Sequence, residues 1–318
     1  MRLFVSMGVA AQTGGPRRPR VRVVDADAGT VVDELAFEAA HAPSADAHQE
    51  ATSASFTREG LLLQPAHTEL LWIDPVALRI VRRVTDPLFH GLHSATESDD
   101  GTIVVTCAGL DSVLELDPEG RLLCHHWLRE GRFADAYGGI ADFRAVDHHG
   151  FQPHSHHPNF AWRGGDDVWA TCFETRDCRT VDGLRRVALD EAIPHDGRLR
   201  HGLLWFTQVD GHVIAVDPDT LERKLEIDLR ELCDTKKMLG WCRGVEVADD
   251  RLFVGMTMLR SSSHREVLRM LLRGEQGEKL PTRILEIDLG RLRVVREIVM
   301  AGGEGATIYG VTSRQIRQ

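Results

Sequence analysis

Leu114-Glu115-Leu116-Asp117-Pro118, an alternating apolar run closed by Asp and a turn former, is the phrase whose recurrence decides the fold. It returns as Leu71-Trp72-Ile73-Asp74-Pro75, Ile214-Ala215-Val216-Asp217-Pro218 and Ile284-Leu285-Glu286-Ile287-Asp288, with shorter forms at Val23-Val24-Asp25 and Val187-Ala188-Leu189-Asp190. Successive side chains of a strand face opposite ways, so a two-residue period bounded by turn formers marks short strands. Working outward, a second apolar run precedes most copies, as in Ile103-Val104-Val105, Leu203-Leu204-Trp205-Phe206 and Leu252-Phe253-Val254. A third follows most of them, as in Leu122-Leu123 and Lys224-Leu225-Glu226-Ile227.

Four short antiparallel strands in roughly 40 residues are one blade of a β-propeller. The repeats place blades at about 48–85, 90–128, 154–190, 195–229 and 241–300. The N-terminal strands (3–9, 20–26, 30–37) and the stretch Ala306 to Ser313 then form a sixth, in which the last strand joins the first three. Closing the ring this way removes two exposed sheet edges. The expected fold is therefore all-β: one β-propeller domain over 1–318 with six four-stranded blades. Five blades is the alternative, because Asp190 to Asp217 is short for a repeat. One helical insertion is expected at about 261–275, where Ser263 and Glu266 form a capping box ahead of Val267, Leu268 and Met270. Lying over an opening, it reads as a lid or a contact surface.

The pattern resembles the six-bladed propellers of the gluconolactonase, NHL and strictosidine-synthase-like group. Within it, His157-Pro158-Asn159 through Pro194-His195-Asp196-Gly197-Arg198-Leu199 to Leu204-Trp205-Phe206 is similar to an uncharacterised bacterial propeller family of the DUF4915 type. The resemblance implies the architecture. It carries no activity, because the acidic and asparagine calcium ligands of the gluconolactonases are not recognisable here.

Composition narrows the partners. Lys+Arg 38 against Asp+Glu 48 gives a net charge of -10, which argues against a phosphate-backbone or anionic-lipid binder. No apolar run approaches the ~20 residues of a membrane-spanning helix. The six cysteines form no C-x-x-C pair, and reduced thiols in the cytoplasm are expected. The odd statistic is sixteen histidines beside only two tyrosines.

The histidines recur in register with the blades. His93 lies ten residues before Ile103, His157 eleven before Val168 and His195 nine before Leu204. His48 sits further out on its loop, fourteen before Leu62, with Glu50 nearer the strand. Each position is where an innermost strand enters, so side chains distant in sequence converge on the channel axis. Converging imidazoles suit one divalent transition metal (Fe, Mn, Zn, Cu or Ni) and not calcium, which takes oxygen ligands. Solvated loop ends are the bland alternative.

In Gln152-Pro153-His154-Ser155-His156-His157-Pro158 the flanking prolines favour extended backbone. That places His154 and His156 on one side and His157 on the other; either side could face the channel, so His154 joins His93, His157, His195 and His48 as a candidate ligand. Arg243, nine residues before Leu252, is the candidate clamp for a carboxylate or phosphate. Tyr309, Glu174 and Glu50 are further candidate contacts at the same opening. The expected partner is a small-molecule substrate, which can carry an anionic group, rather than nucleic acid or membrane.

These residues point to a metal-dependent enzyme acting on a small polar molecule by hydrolysis, elimination or isomerisation. A non-haem iron oxygenase is one alternative, since the all-histidine set resembles that of the carotenoid-cleaving propellers in ligand type. A non-catalytic propeller that binds a ligand or protein is the other.

Overall fold

The computed structural model describes residues 1–11, 15–41, 49–147, 151, 154–189, 193–260 and 276–314. Each repeat forms a four-stranded antiparallel sheet, and six of these make the ring. Blade 1 runs from the channel outward as Ala306–Ser313, Arg2–Ala10, Arg17–Asp25 and Thr30–Ala36. The inner strands of blades 2 to 6 are Ser55–Phe56, Leu92–Glu97, Pro158–Gly164, Pro194–Arg200 and Trp241–Ala248. The five-blade alternative falls, because blade 5 is complete: Leu203–Gln208, His212–Val216 and Arg223–Asp228 follow its inner strand.

Burial follows the layering. Every residue of Ala306–Ser313 is buried, whereas Arg79–Val84 at the rim of blade 2 alternates exposed and half-buried. Between neighbouring blades the sheets interdigitate: Phe253 and Ile284 of blade 6 pack with Leu3, Val5 and Ile308 of blade 1. The closing strand pairs antiparallel with the N-terminal one from Leu3↔Ser313 to Val9↔Ala306. A chain ending before Ala306 would expose the edge of Arg2–Ala10 and remove the apolar face of Ile308 and Val311. Such a chain is expected to lose its cooperative thermal transition. An unchanged melting curve would show that stability does not depend on this closure.

Two short helices, Phe133–Tyr137 and Leu229–Cys233, were not apparent in the sequence. The first belongs to the connection into blade 4, where Phe133, Tyr137, Phe143 and Phe151 pack at tilted to edge-on angles with centroid separations of 4.9 to 5.8 Å. The expected helix at 261–275 lies outside the described residues; on either side of that segment, Lys237–Met238 and Gln276–Lys279 pair as a small parallel ribbon. No helix among the described residues is long and apolar enough to cross a membrane.

The channel is bolted across. Arg198, buried on the inner strand of blade 5, donates to Ala54 O at 2.9 Å beside blade 2 and to Val311 O at 3.1 Å in blade 1. Its Nε reaches Val245 O of blade 6 at 3.5 Å. Glu246, also buried, lies 3.7 Å from Arg198, is paired with Arg200 at 2.6 Å and accepts from Ser313 N at 3.1 Å.

Candidate functional site

The inner strands enter the channel through β-bulges, and the bulges carry the site. Register slips between Leu92 and Ser94 leave His93 unopposed; the slip between Pro194 and Gly197 does the same for His195-Asp196. Equivalent slips fall at Asn159, at Arg243-Gly244 and, on the closing strand, at Tyr309. An extra residue bends the strand and re-aims its side chain, here toward the axis. Threonines on the second strands stabilise the irregular backbone: Ser94 N donates to Thr106 Oγ1 (2.8 Å), Phe160 N to Thr171 Oγ1 (3.1 Å) and Asp196 N to Thr207 Oγ1 (3.2 Å).

His157 arrives by another device. The buried Asp111 carboxylate accepts from the backbone N–H of Ser155 (2.8 Å), His156 (3.0 Å) and His157 (2.6 Å), pinning the histidine-rich loop across from blade 3. His157 has φ +51°, which breaks the two-residue alternation expected of an extended tract. Three consecutive N–H groups converging on one carboxylate are likewise incompatible with an extended tract. His154 does not share a side with His156: it meets His157 at 4.9 Å between ring centroids, while His156 Nε2 lies 3.2 Å from Arg179 Nη1.

Together these elements enclose a cavity of about 420 Å³ at one mouth of the channel. His93, His154, His157 and His195 line it; His48 lies outside the described residues. Glu50, Glu174, Arg243 and Tyr309, the expected contact residues, line it as well. The His93 ring centroid is 5.0 Å from His195, 5.9 Å from His157 and 6.2 Å from Tyr309. Sequence reasoning missed Arg17, whose Nε donates to Glu50 Oε1 at 2.5 Å, as well as His67 and Trp241. It also missed Asp196, behind the wall, which lies 3.1 Å from His195 Nδ1 and accepts from Gly244 N. Cys242, next to Arg243 in the chain, is buried in the apolar core between blades, where burial pushes its thiol well above the usual range.

The electrostatics follow from enclosure. Burial, with His195 adding to it, pushes His93 down to about 3, so its imidazole is neutral. Burial also lowers His195, against the opposing pull of Asp196. Asp196 stays below the usual carboxylate range: burial works to raise it, and His195 prevails with help from Gly244. Burial raises Tyr309, with Glu50 reinforcing the effect, and burial raises Glu174.

A pH dependence follows for metal-free protein. The unfolded chain takes a proton on His93 near pH 6.5 and the folded chain only near 3, so stability is complete above about 6.5 and declines as pH falls toward 3. The slope from this one group approaches about 1.4 kcal/mol per pH unit. Urea midpoints measured across that window should fall more steeply for the parent than for His93→Gln. Parallel profiles would mean that His93 binds its proton equally in both states.

Away from the channel, Glu115, Cys124 and His126 on the outer strands of blade 3 bring three donor atoms within 4.8 Å of one another. Arg163 already pairs with this Glu115, and His126 Nε2 lies 2.7 Å from its other oxygen. No other trio of His, Cys, Asp or Glu among the described residues is that compact, so the pocket histidines stand more openly.

No family profile matches the sequence, and no curated protein matches it either. Solved structures do match. A protein of unknown function from Bacteroides caccae has a TM-score of 0.61 at 15% identity, covering 98% of this chain and 97% of that one. A nidogen/laminin complex gives 0.57 at 11% identity, with 98% and 97% covered. A streptogramin B lyase gives 0.53 at 14% identity, with 96% and 86% covered. At such identities the likeness concerns the fold, and no family profile stands behind the narrower DUF4915-type resemblance. The chain is a six-bladed β-propeller.

Proposed function

We propose that the pocket is the active site of an enzyme acting on a small polar molecule, with one divalent transition metal held by His93, His195 and His157. The observation that carries this reading is the delivery of three imidazoles from three blades to one wall of the cavity. Two imidazoles on a tetrahedral ion with bonds of about 2.1 Å have ring centres about 5 Å apart. His93 and His195 match that spacing at 5.0 Å, and His157, at 5.9 Å from His93, has to close in. Neutral imidazole is the form that ligates, and burial favours it at His93. Asp196 fits the role of a carboxylate behind a ligand: accepting from Nδ1–H, it leaves the Nε2 lone pair of His195 for the metal.

A metal held by His93, His195 and His157 would supply Lewis-acid chemistry, polarising a carbonyl or acidifying a water. Around it, Tyr309 offers a hydroxyl donor and Glu174, raised by burial, a proton-transfer group. One propeller similar to this chain is a lyase, so rings of this kind do serve catalysis. The open spacing of the donor atoms favours a second reading, in which the His195–Asp196 pair moves protons without a metal.

Elemental analysis of untagged protein tests the choice. About one equivalent of a transition metal, absent from His93→Ala, supports the metal reading; trace metal after supplementation removes it. Colour and oxygen uptake with Fe(II) would favour the oxygenase alternative.

A further inference from the structure

We infer that the channel mouth carries an anion subsite, built by Arg243, Arg260 and Arg17 beside Trp241, that seats a doubly charged oxyanion head group of the substrate. This deepens the reading of the pocket as a substrate site and rests on it. A side cavity of about 190 Å³ opens off the histidine pocket and shares Arg17, Trp241, Arg243 and Tyr309 with it. Arg260 and Thr307 complete its polar wall.

Arg243 is the decisive residue. It is only 9% exposed, yet among the described residues it makes no ion pair or hydrogen bond, and its Nε is buried without a partner. Its guanidinium lies over Trp241 at 4.3 Å and near Tyr309 at 5.2 Å. Those ring faces attract the cation but accept none of its in-plane N–H donors in a normal hydrogen bond. A buried guanidinium without a counter-anion is costly, and a bound oxyanion would relieve it with a fork geometry that arginine matches.

The nearby carboxylates do not supply that anion. Glu50 is paired with Arg17, and Asp196 is engaged by His195 and Gly244. Arg260 donates to the Thr307 hydroxyl at 3.0 Å, and its charge helps depress Arg243 after burial. Asp196 and Glu50 favour the Arg243 charge from outside the side cavity, whose lining contains neither of them. With Arg17 held by Glu50, the positive charges of Arg243 and Arg260 therefore face the cavity without a carboxylate in its wall. A dianion balances them; a monocarboxylate does not. Its remaining atoms would extend from Arg243 toward His93 and His195, which line the adjoining space.

Calorimetric titration of the full-length protein tests this, using inorganic phosphate, malonate and acetate at fixed ionic strength and pH about 8, where phosphate carries about two charges. Saturable binding of phosphate or malonate, tighter than acetate, is expected; which dianion binds better separates a phosphoryl from a dicarboxylate head. Arg243→Lys and Arg260→Met should each weaken it about tenfold, with exposed Arg291→Met unchanged. Absence of saturable binding by both dianions, or equal binding in both pocket variants, overturns the subsite. The titration is repeated after chelation: binding that survives belongs to the arginines, and binding lost with the metal also overturns it. Dianion binding in protein that never takes up metal would fell the metal reading and leave this subsite standing.

Discussion

Arg198→Ala is expected to destabilise the ring by about 3–5 kcal/mol, the range for removing one partner from a buried charge network. The guanidinium leaves blade 5 and ends among the carbonyls of Ala54, Val311 and Val245, so it ties blade 5 to blades 2, 1 and 6 at once. Burial lowers Arg198 to about 10, still charged at neutral pH, and each hydrogen bond is therefore charge-assisted. Truncation strands three carbonyls in a space shaped for an arginine. Arg200 still holds Glu246, which keeps the loss from being larger. Urea unfolding would measure it, and Arg198→Lys should recover part of the loss, since one ammonium cannot span the three carbonyls as the planar fork does. A cost below about 1 kcal/mol, that of an exposed ion pair, would mean that blade packing alone closes the ring.

Arg198 stood inside a quoted stretch of sequence and drew no structural expectation, and the reason is general to this fold. Blades were legible because period-two alternation and Asp-Pro turns are local: the phrase at Leu114–Pro118 lies across the end of the strand Ser112–Leu116. The heights of His93 and His195 were legible because counting back from a second strand locates the start of the first. Contacts across the channel depend on how far around the ring two blades lie, which no local period encodes. Arg17 is an instructive miss. It opens the strand Arg17–Asp25, and strand alternation puts the start of a third strand on the same face as the start of a first. The bulges of blades 3, 4 and 5 had a readable trace too, in the Thr near the end of the second strand: Val105-Thr106-Cys107, Ala170-Thr171-Cys172 and Phe206-Thr207-Gln208. Asp196 was hidden differently, since an Asp after His195 looks like part of a turn until the bulge folds it behind its neighbour's ring.

Substituting the pocket histidines one at a time should produce the largest functional losses. His93→Ala and His195→Ala each remove a donor from the pair already at ligand spacing, and metal content and activity should fall together by at least about 100-fold, beyond the 10–100-fold typical of groups behind the ligands. His157→Ala should follow with a smaller loss of metal, because its ring is the more distant from His93. Asp196→Asn keeps every ligand and spoils only the acceptor for His195 Nδ1, so about 10–100-fold is expected. That ordering matters, because a purely structural histidine cluster would show losses that track stability instead. Cooperative melting of each variant, measured beside metal content, separates the two. The outer strands of blade 3 supply the sharpest control: Cys124→Ser removes a donor from the most compact trio among the described residues without touching the channel. His125, bonded to Ser112 Oγ at 2.9 Å on the same strand, controls for loss of a histidine as such. Metal that stays with the three channel variants and leaves with Cys124→Ser would move the binding site to the rim of blade 3. The open arrangement of His93, His157 and His195 would then belong to a pocket that handles its substrate by hydrogen bonds and proton transfer alone.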